Sequence, residues 1–203
     1  MLTPRYTLVR IPVQAKLLPR AERRASILRG AAAAFASSGF AHTSMEDVAA
    51  ACGVTKLIVY RHFGTKEELY RAILQAVFDR LGQELQAGLA TRPPHRGLGV
   101  RTQLTVARED PDGYTLLWRH AAREPMFAAY AASMREISID VVRDLLRLDT
   151  GDTVLDRWKA ETLFALLVDA TLAWLDNGDP ARDDDYTHHA TAAFWSLVDT
   201  WRP

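Results

Sequence analysis

Apolar residues recur at helical spacing along most of the chain, and the segment 43–69 shows the pattern most sharply. Val48 and Cys52 lie one helical turn apart and predict a short helix with a single buried face. Gly53 follows at a position that favours a tight turn, because glycine adopts positive φ without steric cost. A second short helix is predicted over 56–63. Two helices joined by a glycine-containing turn form the layout of a helix-turn-helix motif.

Residues that cap helices stand where these elements are predicted to begin. Thr43 or Ser44 precedes the first helix with an acid three residues later, which is the spacing of a capping box. Thr55 is placed to cap the second helix. Thr65 precedes a third helix and has Glu68 at the box position. The boundaries of the motif are therefore specified locally.

The second helix of the motif has two distinct faces. Val59 and Phe63 lie one turn apart and predict the buried face. Large apolar side chains that face solvent need a partner, and the major groove offers thymine methyls beside phosphates and guanine edges. The side chains that we expect on this outward face are Lys56, Leu57, Ile58, Tyr60 and Arg61.

The rest of the chain is also helical in pattern, with about nine helices and no strand signal, so the fold class is all-α. We expect a basic arm over 1–19, a helix-turn-helix unit over 20–64, and a ligand-binding and dimerisation domain over 65–203. The arm is either a DNA-contacting extension or a tail without a role. The longer predicted helices are Arg20–Ser38, Thr65–Ala90, Leu98–Arg108, Pro111–Arg123, Pro125–Leu148, Thr153–Asn177 and Arg182–Trp201.

The helix predicted over Thr153–Asn177 is apolar on nearly every side. Such a helix must be buried on every side. It is either the central core helix of a monomer or, together with the last helix, half of a four-helix interface around a two-fold axis.

Charge is distributed unevenly over the 203 residues. Residues 1–75 contain 11 Lys and Arg against 5 Asp and Glu, whereas the remainder contains 14 against 20, so a basic first third precedes an acidic body. Cys52 is the single cysteine, which excludes an intramolecular disulfide and a multi-cysteine zinc site. No run of about 18 apolar residues predicts a membrane span. We therefore expect a cytoplasmic protein without a membrane partner.

A resemblance to a known family covers Arg20 to Leu74. It is carried by the segment GFAHTSMEDVAAACGVTKLIVYRHFGTKEELYRAIL, which resembles the N-terminal module of TetR-family transcriptional regulators. The segment AWLDNGDP at 173–180 is similar to the C-terminal half of the family. The closest matches are Thr43-Ser44, Val48-Ala49, Gly53-Val54-Thr55, Tyr60, His62-Phe63 and Thr65-Lys66-Glu67-Glu68-Leu69.

The resemblance implies a nine-helix homodimer that binds double-stranded operator DNA with its third helix. It also implies a small-molecule pocket in the C-terminal domain, and release of the operator when the pocket is filled. The sequence departs from the family pattern at Leu57 and Ile58, where smaller residues are common. The DNA-contacting positions of the family fall on Thr43, Thr55, Lys56, Leu57, Ile58, Tyr60, Arg61, His62 and Lys66.

Aromatic residues of the C-terminal domain are the predicted lining of the pocket, although each also fits a plain core position. They would suit a small apolar or aromatic effector. We predict no cofactor and no metal, because His188 and His189 beside Asp184 and Asp185 are typical of a solvated helix start. The pocket residues are Tyr114, Trp118, Phe127, Tyr130, Phe164 and Trp174.

The sequence therefore predicts a ligand-responsive dimeric repressor that dimerises through its two C-terminal helices. A regulator of the same fold that answers to a protein partner, or to no ligand, is the alternative. An enzyme is not expected, because the chain has no glycine-rich phosphate loop, nucleophile elbow or metal constellation.

Overall fold

The computed structural model describes residues 19–91 and 93–201, and within these ranges every regular element is helical. This confirms the all-α prediction. The predicted arm over 1–19 lies outside the described residues, except for residue 19. The α-helices are α1 Arg20–Ser38, α2 Met45–Ala51, α3 Lys56–His62, α4 Lys66–Ala90, α5 Leu98–Glu109, α6 Pro111–Thr115, α7 Ala128–Leu146, α8 Thr153–Asn177 and α9 Asp183–Thr200.

The first three helices pack as a unit around a small apolar centre. Ile27 and Phe35 of α1, Val48 of α2 and Val59 of α3 are buried there. Gly53 joins α2 to α3 with a φ of 62°, in the left-handed region that glycine adopts freely. The helix-turn-helix arrangement expected from the sequence is confirmed.

An aromatic cluster joins this unit to the rest of the protein. It consists of Phe35, Phe40, Tyr70 and Phe127, and we call it the aromatic junction. Tyr70 of α4 stacks on Phe127 with ring centroids 4.4 Å apart, and Phe40 meets Phe127 edge to face at 4.9 Å. Because three of its rings are fully buried, the junction fixes the position of the helix-turn-helix unit against the rest of the protein.

The segment after α6 differs from the predicted helix over 111–123. Only Pro111–Thr115 is α-helical, and a π-helical turn at Leu116–His120 and a 3₁₀ turn at Ala121–Arg123 follow. The wider turn accompanies the complete burial of the neighbours Leu116 and Leu117.

Helix α8 is buried on one side and open on the other. Leu163 and Phe164 lie in the core, whereas Leu155 is 40% and Trp158 51% exposed. Trp158 pairs with Trp201 just beyond α9, with ring centroids 5.3 Å apart. The side of α8 turned away from the core is therefore an apolar surface that continues onto the end of α9.

The described ranges contain neither a candidate membrane span nor a candidate metal-binding cluster. None of the helices there combines the length and the hydropathy that a membrane span requires. No group of three or more His, Cys, Asp or Glu side chains is arranged to hold a metal ion in the same ranges. The rings of His188 and His189 meet edge to face, 5.3 Å apart, in the first half of α9.

Candidate DNA interface and effector cavity

The helix-turn-helix motif is held by caps that the sequence encodes locally. The Ser44 hydroxyl accepts from Asp47 N, while the Asp47 carboxylate accepts from Ser44 N at 2.8 Å, so the capping box is complete. The hydrogen bonds that the Asp47 carboxylate accepts from the backbone N–H and the hydroxyl of Ser44 lower the pKa of Asp47. Thr65 caps α4 by accepting from Glu68 N. Thr55 precedes α3 without a side-chain cap bond, so the prediction that it caps this helix is wrong, and its side chain is exposed instead.

The outward face of α3 is apolar where the sequence analysis placed it, with one difference. Leu57 is 61% and Tyr60 42% exposed. Ile58 is the difference, because it packs against the core and is half-buried. Only one edge of its side chain is therefore exposed. Val59 and Phe63 are buried, which confirms the predicted inner face.

Charge on this face is concentrated at the two ends of α3. Lys56 forms an ion pair with Glu46 of α2, and its ammonium lies 5.7 Å from the centre of the Tyr60 ring. The hydrogen bond from Lys56 is the largest of the effects that lower the pKa of Glu46. Arg61 is exposed. One cation of the face is thus paired with an acid, while the other faces solvent.

His62 lies at the edge of α3 beside the arginines of α1. Partial burial lowers the pKa of His62, and the charges of Arg20, Arg24 and Arg23 lower it further. The Arg24 guanidinium also stacks over the Phe63 ring, 4.9 Å from its centre. Several cations therefore converge on one edge of the motif, which suits an anionic backbone.

Two of the predicted contact residues have structural roles. Thr43 is 2% exposed, and its hydroxyl donates to Gly39 O at 2.7 Å. Contrary to the prediction of a DNA contact, this side chain therefore does not reach the surface. The Lys66 ammonium donates to Phe40 O at 2.8 Å and to Thr43 O at 3.1 Å. Because an ammonium has three donors, the remaining N–H of Lys66 can still contact a phosphate.

The six aromatic residues predicted as a pocket lie in several places. Tyr114 and Phe127 are fully buried, and Phe127 belongs to the aromatic junction. Tyr130 donates to Gln75 on α4. The physical reason is that large rings fill space, so most of them occupy the core that surrounds a cavity rather than its wall.

The remaining three predicted pocket residues lie in the α8 region. Phe164 lines a cavity, and Trp118 meets the Phe164 ring edge to face at 5.3 Å. Trp174 stacks on Tyr186 and donates its indole N–H to Asp183 at 2.6 Å. Of the six, only Phe164 lines the cavities between α4, α5, α7 and α8. Trp174 lines a separate hollow beside Tyr186 and Ala190.

The walls of two adjoining cavities consist mainly of aliphatic residues, which were not among the predicted pocket residues. The central cavity, about 220 Å³, also includes Phe78, Thr102, Gln103 and Ser138 in its wall. The distal cavity, about 330 Å³, extends past Leu89 towards Phe194 of α9. The apolar periodicity of α4 and α7 identifies these residues as inward-facing. It does not show whether they pack against other side chains or line a cavity, because the pattern is the same in both cases. The residues shared by both walls are Leu85, Gly99, Val142, Leu145 and Leu167.

Comparison with protein families identifies the N-terminal unit. Residues 27–73 match the model of bacterial regulatory proteins, tetR family. The HTH-type transcriptional activator FasR of Mycolicibacterium smegmatis is 32% identical over 183 residues, which cover 88% of this chain and 84% of that protein. The HTH-type transcriptional repressor Rv3405c of Mycobacterium tuberculosis is 40% identical over 99 residues, which cover 47% of this chain and 50% of that protein.

Solved structures share the fold. A TetR-like transcriptional regulator from Rhodococcus sp. RHA1 has a TM-score of 0.71 at 22% identity and covers 90% of this chain and 98% of its own. AibR, solved in complex with isovaleryl coenzyme A and operator DNA, has a TM-score of 0.64 at 18% identity and covers 84% of this chain and 97% of its own. Together with the helix-turn-helix geometry and the similarity to FasR over 88% of this chain, these findings show that the chain belongs to the TetR family, whose members are DNA-binding transcriptional regulators and not enzymes.

Proposed function

We propose that this regulator is a dimeric repressor that binds operator DNA through α3 and releases it when an apolar effector fills the central and distal cavities. The observation that carries the proposal is the exposed face of α3. Leu57 and Tyr60 face solvent there beside Lys56 and Arg61, on a helix whose opposite side is firmly buried. An apolar surface flanked by cations complements the major groove.

The contacts divide by chemistry. Leu57 and the exposed edge of Ile58 suit thymine methyls, and Arg61 suits a guanine edge. Thr55, Lys56, Tyr60, His62 and Lys66 are proposed to contact phosphates, because their donors lie at the ends and edges of the motif. Thr43 is left out of the proposed interface, since its hydroxyl is used inside the fold.

A second copy of the chain is proposed to cover the apolar surface of α8 and α9. Leu155 and Trp158 are exposed on α8, and Leu166, Leu197 and Trp201 are half-buried. Four helices around a two-fold axis would bury this surface symmetrically. Two copies of α3 could then bind half-sites about 34–36 Å apart, one turn of DNA.

The effector is proposed to act through α4. This helix carries Tyr70 in the aromatic junction and Leu81 and Leu85 in the cavity walls. A ligand that fits the cavities better in one arrangement of the two subunits shifts the population towards that arrangement. If that arrangement separates the two α3 helices further, the operator is released.

The names of relatives support this proposal and also define a second candidate. AibR was solved with isovaleryl coenzyme A, a ligand with an aliphatic acyl group, and with operator DNA. Rv3405c is named a repressor, whereas FasR is named an activator. The long alignment with FasR favours activation as the second candidate. Both candidates place the protein in the cytoplasm with the operator.

The DNA-binding part of the proposal is tested by Arg61→Ala. An operator is first selected from random duplex DNA with the wild-type protein. We expect the variant to lose about 1–3 kcal/mol of operator binding and to discriminate less at one base position, because Arg61 would contact a base edge. Binding is measured by fluorescence anisotropy at a fixed salt concentration.

The control for this experiment is Arg101→Ala, which removes an exposed arginine of α5. It should bind the operator as the wild type does. If the two variants bind the whole set of duplexes equally well, α3 does not read DNA through Arg61. If no compound changes operator affinity at fixed salt, the effector part of the proposal is wrong and control by a protein partner becomes the better explanation.

A further inference from the structure

The central cavity has an apolar wall with three polar side chains in it. Thr102 and Gln103 of α5 are 5% and 8% exposed, and Ser138 of α7 is half-buried. Ile137 and Leu145, on the α7 side of the same wall, are about half exposed, at 51% and 47%. The cavity is therefore open along α7 and closed along α5, where two of its three polar side chains lie.

A hydrogen bond behind the wall fixes the orientation of the Gln103 amide. The hydroxyl of Tyr114, which is fully buried, donates to Gln103 Oε1 at 2.8 Å. Burial raises the pKa of Tyr114, so the phenol keeps the proton that it donates. Because the amide oxygen is held by Tyr114, the NH₂ group of Gln103 is the part left for the cavity.

The other two polar groups differ in what they have left to offer. The Ser138 hydroxyl donates to Met134 O at 3.0 Å, so its proton is already used. The Thr102 hydroxyl is buried and has no hydrogen-bond partner within the described part of the chain. The donor available to a ligand is therefore Gln103 Nε2, because the Thr102 oxygen is itself fully buried.

We propose that the central cavity binds a ligand with an alkyl chain and an uncharged carbonyl oxygen, which accepts a hydrogen bond from Gln103 Nε2. Tyr114 is a positioning residue that keeps the amide in the donating orientation. This inference rests on the proposed function of the cavities as the effector site. A carboxylate fits the central cavity poorly, because no Lys, Arg or His belongs to its wall and a buried charge needs a partner. His95 and Arg96 line the distal cavity instead.

Matched probes test the proposal on the full-length protein. They are methyl heptyl ketone and the alkene in which a methylene group replaces its carbonyl oxygen, so the two differ only in the acceptor. Dissociation constants are measured by isothermal titration calorimetry. We expect the ketone to bind about tenfold more tightly than the alkene, which corresponds to one well-formed hydrogen bond.

Two variants assign the effect to the amide. Gln103→Met keeps the length of the side chain but removes its polar atoms, and it should reduce the ratio of ketone to alkene affinity to about one. Gln75→Met is the matched control, because Gln75 also accepts from a tyrosine, Tyr130, but lies outside the cavity walls. This control should keep the wild-type ratio.

Tyr114→Phe provides the test if Gln103→Met does not fold, as judged by its thermal unfolding. It preserves the ring but frees the amide to turn, so the ratio should fall several-fold. Equal binding of ketone and alkene by the wild type, or an unchanged ratio in Gln103→Met, would overturn the carbonyl proposal. Tighter binding of nonanoate than of the ketone would overturn the preference for an uncharged group.

The failure of this inference can be told apart from the failure of the proposed function. If neither probe binds while another apolar compound weakens operator binding, the carbonyl proposal is wrong and the effector site stands. If the ketone binds with the expected ratio but leaves operator affinity unchanged, the carbonyl site stands and the proposed release of DNA is wrong.

Discussion

Helix α4 runs from a filled region of the protein to a hollow one. Near its start Tyr70 is buried in the aromatic junction, in contact with Phe35 and stacked on Phe127. Two to four turns later, Phe78 and Leu85 border cavities of about 220 and 330 Å³. The same helix thus has close-packed neighbours at the DNA-proximal end and unfilled space at the other.

This difference suggests how the two ends divide the work of a switch. A close-packed region transmits a displacement, because its side chains have no space in which to absorb it. A cavity can change shape when a ligand supplies the missing contacts. Under the proposed function, the hollow end of α4 senses the effector and the filled end passes its movement to α3.

The largest expected effect comes from emptying the filled end. Phe127→Ala should lower the free energy of unfolding by about 3–5 kcal/mol, because the ring is fully buried among Phe40 and Tyr70 and a cavity would remain. Urea denaturation followed by circular dichroism measures the change. Met126→Ala is the control, since Met126 is 54% exposed, and it should stay within about 0.5 kcal/mol of the wild type.

A loss below about 1 kcal/mol for Phe127→Ala would show that the junction is not close-packed. The distinction between the two ends of α4 would then fail. If the variant is strongly destabilised but retains its operator affinity when folded, the junction supports stability without positioning α3.

The two regions also differ in how far the sequence specifies them. Ser44 caps α2, Gly53 forms the turn between α2 and α3, and Thr65 caps α4. The effects of these residues are confined to the adjacent turn, so the local pattern is sufficient to predict these boundaries. The buried face of α3 follows from the spacing of Val59 and Phe63. Helical periodicity predicts which side of a helix is buried. For α3, that side packs against helices that are close to it in the sequence.

The cavities could not be predicted in the same way, because a hollow depends on the shapes of several distant helices. Phe127 was expected in a pocket wall but completes the aromatic junction, 57 residues along the chain from Tyr70. Leu85 and Leu167, by contrast, have the pattern of ordinary core residues and line both cavities. Thr43 was likewise expected to contact DNA. A sequence motif identifies the position of a residue but not the direction in which its side chain points.

An intermediate effect is expected from filling space with a larger residue. Val168→Phe places a ring in a close-packed part of the core, where Val168 is 2% exposed, and should destabilise the protein by about 1–3 kcal/mol. Val142→Phe makes the same change in the wall shared by both cavities and should cost less than about 1 kcal/mol. Thermal and urea unfolding of the two variants provide the comparison.

The ligand response of Val142→Phe sharpens the same comparison. Its ring would occupy the space proposed for the effector, so methyl heptyl ketone should no longer bind or alter operator affinity. Calorimetry and fluorescence anisotropy measure these two effects. Equal destabilisation by the two Phe substitutions would mean that the cavities are as tightly packed as the core, and unchanged ketone binding would place the ligand elsewhere.

The smallest effect is expected at the exposed surface of the filled end, where Glu46 and Lys56 form an ion pair. Exposed ion pairs contribute little to stability, so Glu46→Gln should leave the unfolding curve unchanged. It should instead tighten operator binding, because Lys56 no longer has to exchange a carboxylate for a phosphate. The plot of log K against log salt concentration should steepen by up to about one, because the charge of Lys56 is then fully available to its phosphate instead of being shared with Glu46. Glu67→Gln removes the same charge at the start of α4, where Glu67 has no ion pair within the described residues, and should leave the slope nearly unchanged. Equal slopes for the two variants would show that Lys56 contacts no phosphate and that Glu46 influences DNA only through net charge.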